Sequence, residues 1–175
     1  GYETLEQNTT GTQNVAVGSF ALDENVDGSN NSAFGYASLG RNTSGDFNAA
    51  FGHGALARNT TANNNTAVGR DSLRENTTGI NNVAVGAFSL DANQTGDENT
   101  ALGTSALGAN TASDNTAVGN RALFVNTTGA GNVAFGANAL DANTSASNNT
   151  AVGYFALTSA TTGDLNTAIG YNCMS

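Results

Sequence analysis

The pentapeptide Asn65-Thr66-Ala67-Val68-Gly69 decides the fold, because the whole chain repeats it. The glycines that end successive units lie seventeen residues apart, except for one step of sixteen from Gly103 to Gly119. A short fixed period is the signature of a repeat architecture, so residues 1–175 are predicted to form a single repeat domain. Exact copies stand at 115–119 and 149–153, and near-copies at 14–18, 31–35, 48–52, 82–86, 99–103, 132–136 and 166–170.

The remainder of the unit is also regular. Positions are counted from the glycine, so that Gly52 is position 1 of its unit. Position 5 is Leu in all ten complete units, position 4 is always small, and position 8 is Asn in every unit except at Ala160. A second Asn follows six residues later, then an Ala at position 16 that never varies, then a large apolar residue at position 17. The unvarying positions are therefore one Leu, one Ala, one Asn and the glycine.

This pattern predicts two short strands in each unit. One runs through Asn-Thr-Ala-Val and the other through the Ala-Leu pair, with turns at the glycine and at the Asn-Thr-Thr-Gly stretch. Seventeen residues are too few for a helical repeat, and one Leu per unit is too few for a leucine-rich repeat. The predicted fold is all-β: a parallel β-solenoid, or β-roll, of ten turns with a rise of ~4.8 Å per turn.

The large residue at position 17 is predicted to point outwards. Side chains alternate along a strand, and the constant Ala beside it suits a thin interior in which two walls approach closely. This outward-facing apolar row is then expected to be buried against another surface. Because the row accepts both Val and Phe, it suits an interface (a seam) between chains better than a closed interior. The predicted subunit interface is Val17, Phe34, Phe51, Val68, Val85, Leu102, Val118, Phe135, Val152 and Ile169.

Charge and composition argue against some classes of binding partner. Fourteen acids oppose five Arg, for a net charge of −9, which argues against nucleic acid and against an anionic membrane surface. The sequence has no apolar run long enough to span a bilayer. The lone Cys173 permits no internal disulfide and no cysteine metal cluster, and its small-residue position suggests burial.

No catalytic or metal-binding group is indicated. His53 is the only histidine and falls in a variable turn, where we expect a solvent-facing side chain, since no unique Ser and Asp accompany it. Asp23, Asp91 and Asp141 recur at position 6, but the calcium-binding nonapeptide is missing, so solvated surface is the better interpretation. The expectation is a protein with no enzyme activity, cofactor or metal.

Aromatic residues concentrate at positions 2 and 3, in the turn after the glycine. Two interpretations are equally supported: a stripe that binds sugar or a receptor, and packing across a groove of a trimer. The candidate rim consists of Tyr2, Phe20, Tyr36, His53, Phe88, Arg121, Tyr154 and Phe155.

The Asn-Thr-Ala-Val-Gly units resemble the Asn-Ser/Thr-x-Ala-Val/Ile-Gly repeats of YadA-like heads of trimeric autotransporter adhesins. The longer unit, with Ala-Leu and Asn-Thr-Thr-Gly, is similar to repeats of phage-tail-fibre-like surface fibres. The likeness covers the whole chain, although the unit is longer than the usual adhesin-head repeat. It implies a left-handed coil, a homotrimer, and an extracellular location on a bacterial cell surface or a virion, with a host-surface glycan or protein receptor as partner.

The leading functional hypothesis is a rigid fibre or adhesin segment, a piece of a longer fibre. An ice-binding solenoid is the alternative, suggested by the repeated Thr. Against it, the threonines of Thr9-Thr10, Thr60-Thr61 and Thr77-Thr78 are adjacent, so neighbouring side chains point to opposite faces. A tailspike that cleaves glycans needs a carboxylate pair in a groove, and the repeats offer no unique pair.

Overall fold

The computed structural model describes residues 1–159 and 161–174. Over these residues it contains ten short strands and no helix. The strands are parallel and follow chain order in one sheet, so the predicted all-β parallel solenoid is confirmed. The strands are β1 (Val15–Val17), β2 (Ser32–Phe34), β3 (Ala49–Phe51), β4 (Thr66–Val68), β5 (Val83–Val85), β6 (Thr100–Leu102), β7 (Thr116–Val118), β8 (Val133–Phe135), β9 (Thr150–Val152) and β10 (Thr167–Ile169).

Each strand presents one residue to the interior and two to the outside. In β4 the central Ala67 is buried, whereas Thr66 is half-buried and Val68 is exposed. Equivalent residues stack directly, since Ala67 pairs with Ala50 of β3 and with Ala84 of β5. The row at position 17 therefore points outwards, as the sequence predicted.

Glycine ends every strand because two constraints meet there. Gly35 has a φ of 140°, a conformation that residues with a side chain rarely adopt. A Cβ at Gly35 would also collide with the carbonyl group of Gly52 in the next turn. Where another turn follows the strand, this position is therefore restricted to glycine both by its backbone conformation and by the stacking distance.

The second predicted strand, through positions 4 and 5, does not form, and that part of the prediction is wrong. Ala55 and Leu56 are adjacent yet both fully buried, which strand alternation does not allow. Leu56 has a φ of 51° and Gly54 a φ of 68°, so this segment alternates positive and negative φ. Its N–H groups still bond along the rod: Leu56 N–H donates to Ser72 O at 3.1 Å, and Gly54 N–H donates to Tyr36 O at 2.9 Å.

The apolar core is a column of leucine facing a column of alanine. The position 5 leucines from Leu22 to Leu140 and the strand alanines from Ala33 to Ala151 are fully buried in one continuous cluster. Because the strand contributes only a methyl group, its wall lies close to the opposite wall, and the Leu side chain fills the space between them. The prediction that the constant alanine faces the interior is confirmed.

Two columns of asparagine run beside this core. In the first column, Asn59 Nδ2 donates to Asn42 Oδ1 of the previous turn at 2.8 Å and to Ala62 O at 3.0 Å. In the second column, Asn65 Nδ2 donates to Gly79 O at 2.9 Å. The first asparagine column is Asn8, Asn25, Asn42, Asn59, Asn76, Asn93, Asn110, Asn126 and Asn143. The second asparagine column is Asn14, Asn31, Asn48, Asn65, Asn82, Asn99, Asn115, Asn132, Asn149 and Asn166.

The sixteen-residue unit loses its residue in a loop. Thr100 still pairs with Thr116, so the strand register is intact. The loop shortens where Asn110 Nδ2 donates to Ala112 O, only two residues away, at 2.7 Å. Ala160, which replaces the asparagine of the first column, lies outside the described residues.

Replacing Leu73 separates backbone strain from loss of packing. Leu73 is fully buried with a φ of 51°. We expect Leu73→Ile to lower the free energy of unfolding by about 1–2 kcal/mol more than Leu73→Met, because a β-branched residue is strained at positive φ. Met keeps the volume and an unbranched Cβ. Equal losses in chemical denaturation would contradict a role for the left-handed leucines.

Replacing Asn59 tests the first asparagine column. Asn59→Leu leaves Asn42 Oδ1 without its donor and Asn76 Nδ2 without one of its two acceptors in the interior. We expect a loss of about 3 kcal/mol or more in the free energy of unfolding. The exposed Asn120→Ala serves as the control, with a change within about 0.5 kcal/mol. Similar losses for both variants would show that the column does not stabilise the fold.

Candidate binding surfaces

The row at position 17 is exposed along the length of the rod. Phe34 exposes 37% of its surface and Phe135 exposes 56%. The rings of Phe34 and Phe51 stack at 4.9 Å with an angle of 6° between their planes. Val85, Val118 and Val152 in the same row are half-buried by their neighbours. The row thus forms one apolar ridge on the surface of the single chain.

A second row, at position 15, lies on the same face and was missed by the sequence analysis. It includes Val15, Val83 and Val133, which are exposed. The signal was available, because residues two apart in a strand share a face. We call the two rows together the outer sheet face. Its position 15 row is Val15, Ser32, Ala49, Thr66, Val83, Thr100, Thr116, Val133, Thr150 and Thr167.

The rim residues at positions 2 and 3 form a continuous column over the first four turns. Phe20 contacts Tyr2 and Tyr36 edge-on, with ring centroids 5.6 Å and 5.4 Å apart. His53 stacks on Tyr36 at 5.2 Å, and the exposed imidazole Nδ1 lies 3.9 Å from Asp71 Oδ1. The backbone holds these side chains next to one another, because Phe20 N–H donates a hydrogen bond to Tyr2 O of the neighbouring turn at 2.9 Å. We call these four residues the aromatic column.

The other rim residues belong to separate clusters. Arg70 lies over the ring of Phe88, with the guanidinium carbon 4.4 Å from the centroid. Arg121 covers Phe124 in the same way at 4.1 Å. Tyr154 contacts Phe155 edge-on at 4.3 Å. The predicted rim is therefore several short patches rather than one stripe.

An open groove beside the aromatic column was also missed by the sequence analysis. It has a volume of about 270 Å³ and includes Phe20, Arg41, Arg58 and Arg74 in its lining. The arginines occupy positions 6 and 7, which vary from unit to unit. Their sequence spacing carries no signal of a shared site, because they converge only when the turns stack.

The recurring aspartates are half-buried rather than solvated, which corrects the sequence interpretation. Burial raises the pKa of Asp23, Asp91 and Asp141, and for Asp23 the nearby Glu3 raises it further. Carboxylate oxygens of Glu3, Glu6 and Asp23 lie within 4.8 Å of one another. The half-buried aspartates cost stability when ionised.

Within residues 1–159 and 161–174, no helix is long and apolar enough to cross a membrane. Comparison with protein-family models, with curated proteins and with solved structures gave no match.

The half-buried Asp91 predicts a pH-dependent stability. Its pKa is raised in the folded state, so the folded chain binds the proton more tightly and unfolding becomes easier as pH rises above the unfolded value of about 3.9. We expect Asp91→Asn to raise the melting temperature at pH 7 and to lose that advantage near pH 3. The exposed Glu98→Gln controls for the removal of one negative charge. An Asp91→Asn benefit equal at both pH values would contradict this account.

Proposed function

We propose that this chain is a rigid segment of an extracellular fibre on a bacterial cell surface or a phage-type tail fibre. It self-associates through the outer sheet face and presents its rim for attachment to a glycan or protein receptor. Its role is structural and adhesive rather than enzymatic. The observation that supports this proposal is the unbroken apolar row at position 17 of the outer sheet face.

The apolar row at position 17 of the outer sheet face is too long to be left exposed on an isolated chain. Ten strands at a spacing of ~4.8 Å make a face roughly 48 Å long. Val17 and Ile169, near its two ends, are both exposed. Monomeric proteins rarely present a contiguous apolar patch of this extent. Burial against identical faces around a rotation axis would remove it from water, and the adhesin resemblance selects three chains.

The interior favours a stiff rod, which is what a fibre segment requires. Backbone hydrogen bonds join each strand to the next, as in the pair formed by Val68 and Val85. The asparagine columns add side-chain bonds between the same turns, such as Asn76 Nδ2 to Asn59 Oδ1 at 3.0 Å. Bending the rod would stretch hydrogen bonds on several sides of each turn at the same time.

One observation favours the ice-binding alternative. Thr66, Thr116 and Thr150 lie on the outer sheet face two residues before an aliphatic side chain, so part of this face is a regular array of hydroxyl and methyl groups. Two observations oppose it. The bulky Phe34 interrupts the array, and hydroxyls elsewhere are occupied, as where Thr60 Oγ1 donates to Thr77 O at 3.0 Å. Thermal hysteresis at micromolar protein would favour ice binding over the fibre.

The fibre proposal is tested by introducing charged residues into the proposed subunit interface, the seam between chains. We expect the unmodified chain, 17.5 kDa as a monomer, to sediment as a trimer. The triple variant Phe34→Asp, Phe51→Asp, Phe135→Asp should sediment as a monomer, because burying unpaired carboxylates between chains is costly.

The matched control changes three exposed aromatics of the rim. Tyr2→Asp, Tyr36→Asp and Tyr154→Asp add the same charge away from the outer sheet face, and this variant should remain a trimer. An unmodified chain that is monomeric, or a phenylalanine triple variant that stays trimeric, would contradict the proposed seam. Dissociation of the tyrosine variant alone would instead place the seam at the rim.

A further inference from the structure

The groove beside the aromatic column is formed by the coil side of the rod. Its lining includes Phe20, Asp23, Glu24, Arg41, Arg58 and Arg74, with small residues between them. These residues come from successive turns at positions 3, 6 and 7. None of them belongs to a strand, so self-association through the outer sheet face does not use them.

The groove takes its arginines from the one basic stretch of an acidic chain. Between residues 41 and 74 the sequence has four Arg and two Asp, whereas the rest of the chain has one Arg and twelve acids. Three of those four arginines line the groove. The lining also carries the acids Asp23 and Glu24, so an anion is repelled less here than along the rest of the acidic rod, and its attraction depends on an arginine without a carboxylate partner.

The three arginines differ in their partners. Arg58 forms an ion pair with Glu75, and Arg74 Nε lies 3.5 Å from Glu75 Oε1. For Arg41, no carboxylate oxygen of residues 1–159 or 161–174 lies within 4.0 Å. Its exposed guanidinium retains the planar set of donors that pairs with a carboxylate or a sulfate.

An aromatic ring borders the same groove. Phe20 lines the groove and also forms part of the aromatic column, between Tyr2 and Tyr36. A binding site for a small ligand combines apolar or aromatic walls with a few polar groups that set orientation. An aromatic ring beside a guanidinium suits a sugar ring that carries an anionic group.

We propose that this groove binds an acidic sugar of a glycan, with the anionic group on Arg41 and the sugar ring against Phe20. The inference deepens the proposed attachment function, since it names the ligand class. Asp23 and Glu24 in the groove lining suit the hydroxyl groups of the same sugar, because carboxylates accept hydrogen bonds from them. A neutral sugar lacks the contact with the arginine.

The test titrates the unmodified chain with three probes by isothermal calorimetry and by chemical-shift changes. Sialyllactose carries a carboxylate, a sulfated disaccharide carries sulfate, and lactose is neutral. We expect one or both acidic probes to bind at least about tenfold more tightly than lactose, because a charge-assisted contact is added. The tighter of the two identifies the anionic group. Acidic probes that bind no better than lactose would overturn the proposal.

Two variants assign the contacts. Arg41→Gln should weaken binding of the acidic probe about tenfold or more, whereas Arg70→Gln, an exposed arginine that belongs neither to the groove nor to the eight candidate rim residues, should leave it unchanged. Phe20→Leu should weaken binding of the saccharide but not of inorganic sulfate. Equal binding by Arg41→Gln and the unmodified chain, or by Phe20→Leu and the unmodified chain, would overturn the assignment.

Failure of this inference is distinguishable from failure of the fibre proposal. Arg41→Gln should sediment as the unmodified chain does, because Arg41 is not on the outer sheet face. If no acidic sugar binds but the Phe34, Phe51 and Phe135 variant dissociates, the fibre assembly stands and the groove inference falls. Circular dichroism of each variant confirms that the fold is intact.

Discussion

The hydrogen bonds between buried asparagine side chains of adjacent turns are the interaction on which the structure depends. A turn this short buries little beyond one Leu and two small side chains, such as Leu90 with Ser89 and Ala84, so apolar burial alone is small. Buried amides must be satisfied, and each asparagine finds its partner only if the next turn repeats it at the same height. Asn65, for example, accepts from Asn82 N–H through Oδ1 at 2.9 Å. The amides therefore impose the regular period as well as stabilise the rod.

The same constraint divides the rod into two different sides. On the strand side, alternation turns a constant alanine inwards and exposes an apolar row. On the coil side, leucines at positive φ, such as Leu107 with a φ of 52°, bring two adjacent residues inwards and leave the intervening positions free to vary. The variable positions carry the aromatic column and the arginines. The regular side that we propose for assembly and the variable side that we propose for recognition both follow from one repeated backbone.

The fold was predictable from the sequence because it depends on the unvarying positions. The glycine spacing gave the period, the constant alanine gave the thin interior, and alternation gave the outward row. The second strand was predicted wrongly, because the dipeptide Ala-Leu does not indicate that Leu56 has a positive φ. The sequence predicted which aromatic residues belong to the rim. It did not predict that the residues of the aromatic column contact one another. The groove of Arg41, Arg58 and Arg74 was not predictable, because these residues are brought together only by stacking of turns.

The central claim, that buried asparagine amides tie the turns together, is tested most directly by hydrogen exchange of the side-chain amide protons. Nuclear magnetic resonance of the chain transferred to deuterated water reports each Nδ2 group separately. The account predicts that protons of Asn59 and Asn65 persist as long as the backbone amides of the strands, while those of the exposed Asn120 are lost at once. Loss of the Asn59 and Asn65 signals as fast as that of Asn120 would contradict it.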